Sequence, residues 1–372
     1  MDAVAASPKP DHWQPSPGSR QADILEAVLH RGSVRVTDLA EEFGVQPVTV
    51  RRDIAALSEA GLVRRVHGGV SAPSKQRVNG AGPATRLAGK QVGTLVPSLE
   101  FYWPDVVRGV EEEATRLGMR MVLRGSVYHA ADERGDLQRL LDSGAAGLLL
   151  APTVRGPAGE LIREWLADSP VPVVLMERAT HVGPMRRPVE SVVTDHAGGA
   201  AMAVHHLASL GHQRIGVALN KNSPHMGQIH QGWQSACADL GLTTTGVADV
   251  VFPEPHDPDF NRRVDAVVDT ALETGTTAVI VHSDQEAVRV MQSAEERGLN
   301  IPGDLSIVSY DDQVATLATP ALSAVRPPRR SIGRTAVGLL AARIAEPDRA
   351  VHRVQVSPRL IVRGSSGPAP AS

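Results

Sequence analysis

Runs of apolar residues alternate with amphipathic segments along most of the chain after residue 91. The apolar runs predict nine strands: VGTLVP, RMVLRG, GLLLAP, VPVVLME, SVVTD, RIGVAL, DVVF, AVIVHS and LSIVSY. The segments between them predict helices near 104–117, 131–143, 158–167, 197–210, 227–240, 259–273, 285–298 and 331–345. Continuous Val, Leu and Ile runs that are mostly followed by a helix are typical of parallel strands covered on both faces. The alternation restarts after HVGPMRRPVE, so the pattern predicts an α/β body of two doubly wound parallel-sheet lobes.

The segment before this body, residues 33–70, has a helical pattern. Four apolar residues predict a first short helix: Val36, Leu39, Ala40 and Phe43. Three more predict a second helix: Val50, Ile54 and Leu57. With Gly44 in the turn, the second helix directs its apolar residues inward and leaves Thr49, Arg51 and Arg52 outside. A helix that enters the major groove of DNA needs such a polar outer face.

After the second predicted helix, apolar and cationic residues alternate up to a pair of glycines. The alternating residues are Leu62, Arg64, Arg65, Val66 and His67. Such a pattern, ended by Gly68 and Gly69, suits a two-stranded wing with cations at the height of the DNA phosphates. Residues 33–70 therefore predict a winged helix-turn-helix domain that binds double-stranded operator DNA.

Length and overall charge add little, whereas the local charge pattern adds more. The chain has 372 residues and a formal net charge of −3, which suits a small head with a larger body but does not itself indicate nucleic acid. The cations cluster on the predicted DNA face, at Arg51, Arg52, Arg64 and Arg65. The single cysteine, Cys237, excludes a disulfide framework and a cysteine-based metal site.

The beginning of the chain lacks the apolar core of a signal peptide, since Asp2, Pro8, Pro10 and Asp11 stand there. No apolar run approaches the length of a membrane span. We therefore expect a cytoplasmic protein with no membrane contact. The predicted segments are a disordered N-terminus (1–19), a winged helix-turn-helix head (20–70), a linker (71–88), a two-lobed body (89–366) and a disordered tail (367–372).

The head resembles the DNA-binding domain of DeoR-family bacterial repressors. The recognition-helix motif TIRRDL of that family is here TVRRDI, from Thr49 to Ile54, and the wing ending R-x-H-G-G is here RVHGG, from Arg65 to Gly69. One departure is Gln46, where the family usually has Ser, a better N-cap. The resemblance implies DNA contacts from Gln46, Pro47, Thr49, Arg51, Arg52, Arg64, Arg65 and His67.

The body resembles the effector-binding domain of LacI-type regulators, which shares its fold with periplasmic sugar-binding proteins. The landmarks, in chain order, are RGVE, VPVVLMER, TDHAGGAAMAVHHLASLGHQRIGVAL, GW, HSDQEAV, GLNIPGDLSIVSYDD, PALSAVRPP and PRLIVRGSSG. The resemblance implies an effector site beyond the carboxyl ends of the strands, in the cleft between the lobes. LacI relatives also have a hinge helix, but residues 71–88 contain Pro73, Gly80, Gly82 and Pro83, so we expect none here.

Strand ends supply the candidate effector-binding residues. Tyr102 and Trp103 lie in an aromatic loop after the first strand, and aromatic faces stack on sugar rings or on bases. The resemblance places ligand-binding carboxylates at Glu177 and Asp311. Asp195 and His196 follow another strand, and there contact with the ligand and orientation of the loops stay equal alternatives.

The resemblance also marks departures in the second lobe. Ser283 stands where the family often has Asn, and Ile229 stands where it usually has an arginine that grips hydroxyls or a carboxylate. Only His230 or Gln228 could substitute for that arginine. Phe252 is expected to supply an aromatic wall.

Enzymatic and metal chemistry have weaker support. The histidines that invite a metal site are His205, His206, His212, His225 and His230. Adjacent histidines on a helix point about 100° apart and do not easily share a metal, so we expect no metal and no cofactor. No nucleophile elbow, P-loop or dinucleotide-binding motif is present, so we expect no enzyme.

Together these features predict a ligand-responsive transcriptional regulator, a repressor of carbohydrate-use genes, acting as a homodimer with a sugar-like effector between its lobes. A nucleoside- or purine-responsive regulator is the alternative within the class, because aromatic stacking serves both kinds of ligand. A sugar-binding transport component or enzyme of the same fold is the alternative outside it. The helix-turn-helix pattern and the absent signal peptide argue against that third possibility.

Overall fold

A computed structural model describes residues 20–31, 33–59, 62–66, 68–71, 87–127 and 132–370. The chain divides into two compact units at Gly82 and Pro83, called here the head and the body. The predicted disordered N-terminus and most of the predicted linker lie outside the described residues.

The described part of the head alternates helices with short strands. Its elements are α1 (Arg20–Arg31), β1 (Ser33–Arg35), α2 (Val36–Glu42), α3 (Pro47–Glu59), β2 (Arg64–Val66) and β3 (Gly69–Ser71). The strands form one antiparallel sheet in the order β1-β3-β2. The wing therefore has a third strand, β1, that the sequence analysis missed because three residues are too few to show alternation.

The inner face of α3 lies as predicted: Val50, Ile54 and Leu57 are buried in the head core. Asp53 of the recognition-helix motif binds α1, since Arg20 Nε donates to its Oδ2 at 2.6 Å. Gly69 allows the close approach of β1, because a Cβ there would lie 2.5 Å from the carbonyl oxygen of Val34.

The body follows the predicted alternation of strands and helices. Its elements in chain order are β4 (Gln91–Val96), α4 (Trp103–Arg116), β5 (Arg120–Gly125), α5 (Arg134–Asp142), β6 (Ala145–Leu150), α6 (Gly156–Ala167), β7 (Val173–Met176), β8 (His181–Val182), β9 (Arg187–Pro188), β10 (Ser191–Thr194), α7 (His196–Ser209), β11 (Ile215–Asn220), α8 (Met226–Asp239), β12 (Asp249–Phe252), α9 (Phe260–Thr274), β13 (Ala278–His282), α10 (Asp284–Glu296), β14 (Ser306–Tyr310), β15 (Ser323–Arg326), α11 (Arg329–Ala345), β16 (Arg353–Val356) and β17 (Arg359–Ile361).

Two six-stranded sheets define two lobes. The first lobe has the order β16-β10-β7-β6-β4-β5, with parallel neighbours throughout. The second has the order β12-β11-β13-β14-β15-β17, parallel except for the last strand. The α/β fold of two doubly wound lobes is therefore confirmed.

The boundary between the lobes differs from the restart of the alternation. Strand β10, which follows that restart, still pairs with β7 in the first sheet. The chain enters the second lobe at α7, returns after β15 so that α11 packs on the first lobe, and crosses again between β16 and β17. Paired glycines bring α11 close to α4: a Cβ on Gly333 would lie 2.1 Å from the Val106 carbonyl oxygen, and one on Gly109 2.2 Å from that of Arg330.

The tail differs from the predicted disorder as far as residue 370. Gly367 donates its backbone N–H to Ser306 Oγ at 3.1 Å, and its carbonyl oxygen lies 3.1 Å from His212 Nε2. Ala369 N donates to the carbonyl of Leu210 at 2.9 Å. These bonds involve the main chain of the tail, so its Gly- and Pro-rich composition does not show them. Among the described residues, no helix has the length and apolar character that a membrane span requires.

Candidate functional site

The head presents an exposed cationic surface on α3 and the wing. Arg51 and Arg52 are exposed, and Thr49 is half-buried. Gln46 is exposed, and Pro47 begins the helix at the position where proline fits best. In the wing, the side chain of Arg65 is exposed. The side chain of Arg64 and the whole of His67 lie outside the described residues.

A cavity of about 590 Å³ lies between the two lobes of the body. It is lined by Tyr102, Trp103, Arg178, Asn220, Asn222, Ser223, Pro224, His225, Glu254, Pro255, His256, His282 and Asp311. A smaller cavity of about 270 Å³ shares its wall at residues 222–225 and Arg178, and is also lined by Glu177 and Gln228. The structure thus brings four predicted residues to the cleft: Tyr102, Trp103, Glu177 and Asp311.

The two aromatic side chains offer little free ring surface. Trp103 is only 2% exposed and belongs to the core of the first lobe, with the Arg178 guanidinium 5.8 Å from its ring centre. The Arg329 guanidinium lies 5.6 Å from the ring centre of Tyr102. Stacking on a base or a sugar face is therefore a smaller part of this site than the sequence predicts.

Glu177 is the centre of a buried hydrogen-bond network. Its carboxylate accepts bonds from Tyr102 Oη at 2.5 Å, from Thr194 Oγ1 at 2.6 Å and from Thr194 N at 2.9 Å. His196 Nε2 lies 3.4 Å from its Oε2. Burial alone would raise the pKa of Glu177, but the imidazole of His196 beside it and that of His225 outweigh burial, so the pKa of the carboxyl is lowered and it stays ionised. Burial and the neighbouring Glu177 raise the pKa of Tyr102, which remains a neutral donor.

Asp311 faces the larger cavity from the end of β14. Its side chain is 20% exposed, and its Oδ2 lies 3.9 Å from His282 Nε2. Burial raises the pKa of Asp311, and His282 partly offsets this. The backbone φ is +93° at Asp311 and +53° at Glu177, in the left-handed region that ordinary residues seldom adopt. Such outliers cluster at ligand-binding sites.

Three predicted residues lie away from both cavities. His230 Nε2 lies 3.0 Å from Asp249 Oδ2, and its neighbour Ile229 is buried in the second-lobe core. Phe252 is fully buried against Phe260 in the second-lobe core, since alternation along β12 turns it inward. Ser283 forms a capping box with Glu286 at the start of α10.

The remaining lining residues come from strand ends and from the loops that follow them. Asn220 ends β11 and His282 ends β13. Their position at strand ends is the signal in the sequence, because ligands bind beyond the carboxyl ends of parallel strands. Of the two residues left open, Asp195 caps α7 by accepting from Gly198 N at 2.9 Å, whereas His196 faces Glu177.

Two family models match the chain: a DeoR-like helix-turn-helix domain over residues 20–76 and a periplasmic binding protein-like domain over residues 204–366. The chain therefore joins a DeoR-like helix-turn-helix domain to a periplasmic binding protein-like domain and is a transcriptional regulator. An uncharacterised HTH-type transcriptional regulator from Streptomyces limosus is 29% identical, over 86% of each chain. The ribose operon repressor of Escherichia coli is 27% identical, over 74% of this chain and 82% of its own. A LacI family transcriptional regulator from Enterococcus faecium, solved with bound ribose, is 23% identical with a TM-score of 0.60, over 75% of this chain and 99% of its own.

Proposed function

We propose that this regulator is a homodimeric cytoplasmic repressor whose affinity for operator DNA is controlled by a small, neutral sugar-like effector in the interlobe cavity. The observation that carries the proposal is the lining of that cavity by hydrogen-bonding groups of both lobes. Arg178 and Tyr102 belong to the first lobe, and Asn220, Ser223 and Asp311 to the second.

This lining suits a polyhydroxylated ligand better than a base. Carboxylate, amide and hydroxyl groups exchange hydrogen bonds with sugar hydroxyls in fixed directions. Aromatic stacking, which would support a base as the ligand, is limited here, because Trp103 is a core side chain and the Arg329 guanidinium lies 5.6 Å from the ring centre of Tyr102. The ribose operon repressor and the ribose-bound regulator from Enterococcus faecium support a pentose as the first ligand to test.

The DNA-binding part of the proposal is supported by the exposed arginines of α3 and the wing. Arg51 and Arg52 are adjacent, so one can meet base edges while the other meets phosphate. A homodimer would present two such heads to two half-sites of an operator. The remaining residues assigned to this surface are Gln46, Pro47, Thr49, Arg64, Arg65 and His67.

The effector acts only through a difference in its affinity for the two states of the regulator. A ligand that contacts both lobes favours the conformation in which the lobes are close together. The sign of the change in operator affinity on adding the ligand gives the direction of regulation.

The test has two steps. First, D-ribose, other neutral pentoses and hexoses, and nucleosides are screened by thermal shift of the full chain in a buffer containing EDTA. A selective ligand at 100 times its Kd should stabilise the protein by about 2.7 kcal/mol, which raises the melting temperature. Second, a duplex selected from a random-sequence library is titrated with the protein, with and without that ligand, by fluorescence anisotropy. A shift only with nucleosides would replace the sugar by the alternative ligand class, and an absence of sequence-selective duplexes would contradict the assignment of the head.

A further inference from the structure

Three potential metal ligands meet where the lobes face each other. They are Glu177, one residue past β7 of the first lobe, His196, the first residue of α7, and His225, just before α8 of the second lobe. One ligand atom from each lies within 4.8 Å of the other two. We propose that this cluster binds a divalent transition-metal ion such as Zn²⁺, and that the bound ion links the two lobes.

The donor set suits such an ion. Zn²⁺ binds imidazole nitrogens and carboxylate oxygens, and sites with three protein ligands keep a further position open. The ligands must be an ionised carboxylate and neutral imidazoles. Glu177, His196 and His225 supply one carboxylate and two imidazoles to this set.

His196 provides the second, independent observation. It is 2% exposed, and its Nδ1 lies 3.2 Å from the hydroxyl of Tyr310. Its Nε2 is buried and, among the described residues, has no hydrogen-bond partner, although it lies 3.4 Å from Glu177 Oε2. A histidine that ligates a metal through one nitrogen while a neighbour holds the other is the usual arrangement of such sites. Tyr102 and Thr194 hold the Glu177 carboxylate in a similar way.

The geometry requires one ligand to move. Ligand atoms of a tetrahedral zinc site, each about 2.0–2.1 Å from the ion, lie roughly 3.4 Å from one another. In the structure the rings of His196 and His225 are stacked, with centres 3.9 Å apart and planes at 23°. His225 is only partly buried and lies in the turn before α8, so it is the ligand that can rotate toward the other two. If His196 and Glu177 formed only an ion pair, His225 would have no role in the cluster. The effect of replacing His225 therefore distinguishes a metal site from an ion pair.

The open position faces the smaller cavity, which Glu177 and His225 both line. A water molecule or a ligand oxygen can complete the coordination there. The inference does not rest on the proposed sugar, because all three protein ligands are present without it. The metal and the sugar can therefore be tested separately.

The experiment uses the full chain, stripped with chelator and free of sugar. Zn²⁺ is titrated by calorimetry, and Co²⁺ is followed by its visible absorption, which is intense for a four-coordinate site and weak for a six-coordinate one. The variants are His225→Ala and Glu177→Gln. The matched control is His230→Ala, because His230 lies on α8 but pairs with Asp249 outside the cleft.

We expect one Zn²⁺ per chain at the cleft and an intense Co²⁺ spectrum. Loss of even an outer-shell partner weakens metal sites by roughly 10–100-fold, so His225→Ala and Glu177→Gln should weaken binding by at least about 100-fold. His230→Ala should leave it unchanged. The inference is overturned if the wild-type chain shows no saturable binding or only a weak, six-coordinate Co²⁺ spectrum, or if His225→Ala binds as tightly as wild type. If Glu177→Gln does not fold, His225→Ala and the wild-type Co²⁺ spectrum decide.

Discussion

Asp311→Asn should separate effector binding from folding. Asp311 faces the interlobe cavity, and its backbone φ of +93° lies in the left-handed region. Asparagine tolerates that region better than most residues and has nearly the shape of aspartate. The substitution therefore removes the charge of one acceptor while it keeps the backbone and the volume.

The expected loss of effector affinity follows from the hydrogen bond that asparagine can still accept. A hydrogen bond to a charged acceptor contributes about 1.5–3 kcal/mol and a neutral one about 0.5–1.5 kcal/mol. The asparagine oxygen still accepts a neutral bond, so the loss should be about 1–2 kcal/mol, or roughly 5- to 30-fold in Kd. The side chain is 20% exposed, so solvent weakens this interaction only partly.

The stability of the fold should not fall together with the effector affinity. Burial raises the pKa of Asp311, so the folded chain favours its protonated form. The group stabilises the fold below its unfolded pKa and loses that contribution as the pH rises through its folded pKa. Near neutral pH the ionised carboxylate therefore disfavours the folded state, and Asp311→Asn should keep or raise the melting temperature.

The assay is calorimetry with the sugar that gives the largest thermal shift, together with a melting curve in the absence of ligand. Asp249→Asn is the control, because Asp249 carries the same group in the same lobe but pairs with His230 outside the cavity. Asp311→Asn with unchanged effector affinity would remove Asp311 from the site and refute the reasoning. Weaker binding with a lower melting temperature would instead indicate a structural role.

Three further predictions concern the head and the first-lobe core. Of Arg51→Ala and Arg52→Ala, one should relax the base preference at a cost of about 1–3 kcal/mol, and the other should weaken binding to all duplexes alike and flatten its salt dependence. Anisotropy titrations measure both effects, with Arg262→Ala, an exposed arginine of the body, as the control. Unchanged DNA binding in both variants would contradict the recognition-helix assignment. Trp103→Ala should lower the free energy of unfolding by about 3–5 kcal/mol in urea titrations, because the ring is a core side chain; unchanged stability would show that it belongs to the ligand surface. Gly333→Ala should destabilise the body by about 1–3 kcal/mol, since its new Cβ would meet the Val106 carbonyl, whereas Gly338→Ala on the same helix meets nothing within 4 Å and should not destabilise.

The repetitive parts of the fold could be predicted because their signals are long. Strands such as β6 are continuous apolar runs, and helices such as α9 show an apolar face over several turns. Strands β1, β15, β16 and β17 are short and each contains an arginine, so none has the continuous apolar run that predicts the other strands. The pairing of β16 with β10 joins residues far apart in the chain, which periodicity does not reveal.

The candidate site was predictable where it depends on strand ends and not where it depends on side-chain direction. Glu177 and Asp311 end buried strands and reach the cavities. Phe252 also ends a strand, but the alternation along β12 turns it into the core. His196 and His225 are far apart in sequence from Glu177, and only the crossing of the chain between the lobes brings the three together.

This crossing also limits how an effector can act. Glu177 accepts hydrogen bonds from Tyr102 and Thr194 within its own lobe and lies 3.4 Å from His196 of the other, so the protein's own side chains make contacts across the cleft. Arg329, in the segment that returns from the second lobe, adds another by donating to the Asp311 carbonyl while its Nε lies 3.4 Å from Asp105 of α4. A ligand that merely replaced these contacts would have equal affinity for both states and would shift nothing, however tightly it bound. The effector must therefore add bonds that exist only when the lobes are together, and Asp311, which faces the cavity and whose burial disfavours its charge, is the acceptor best placed to supply one.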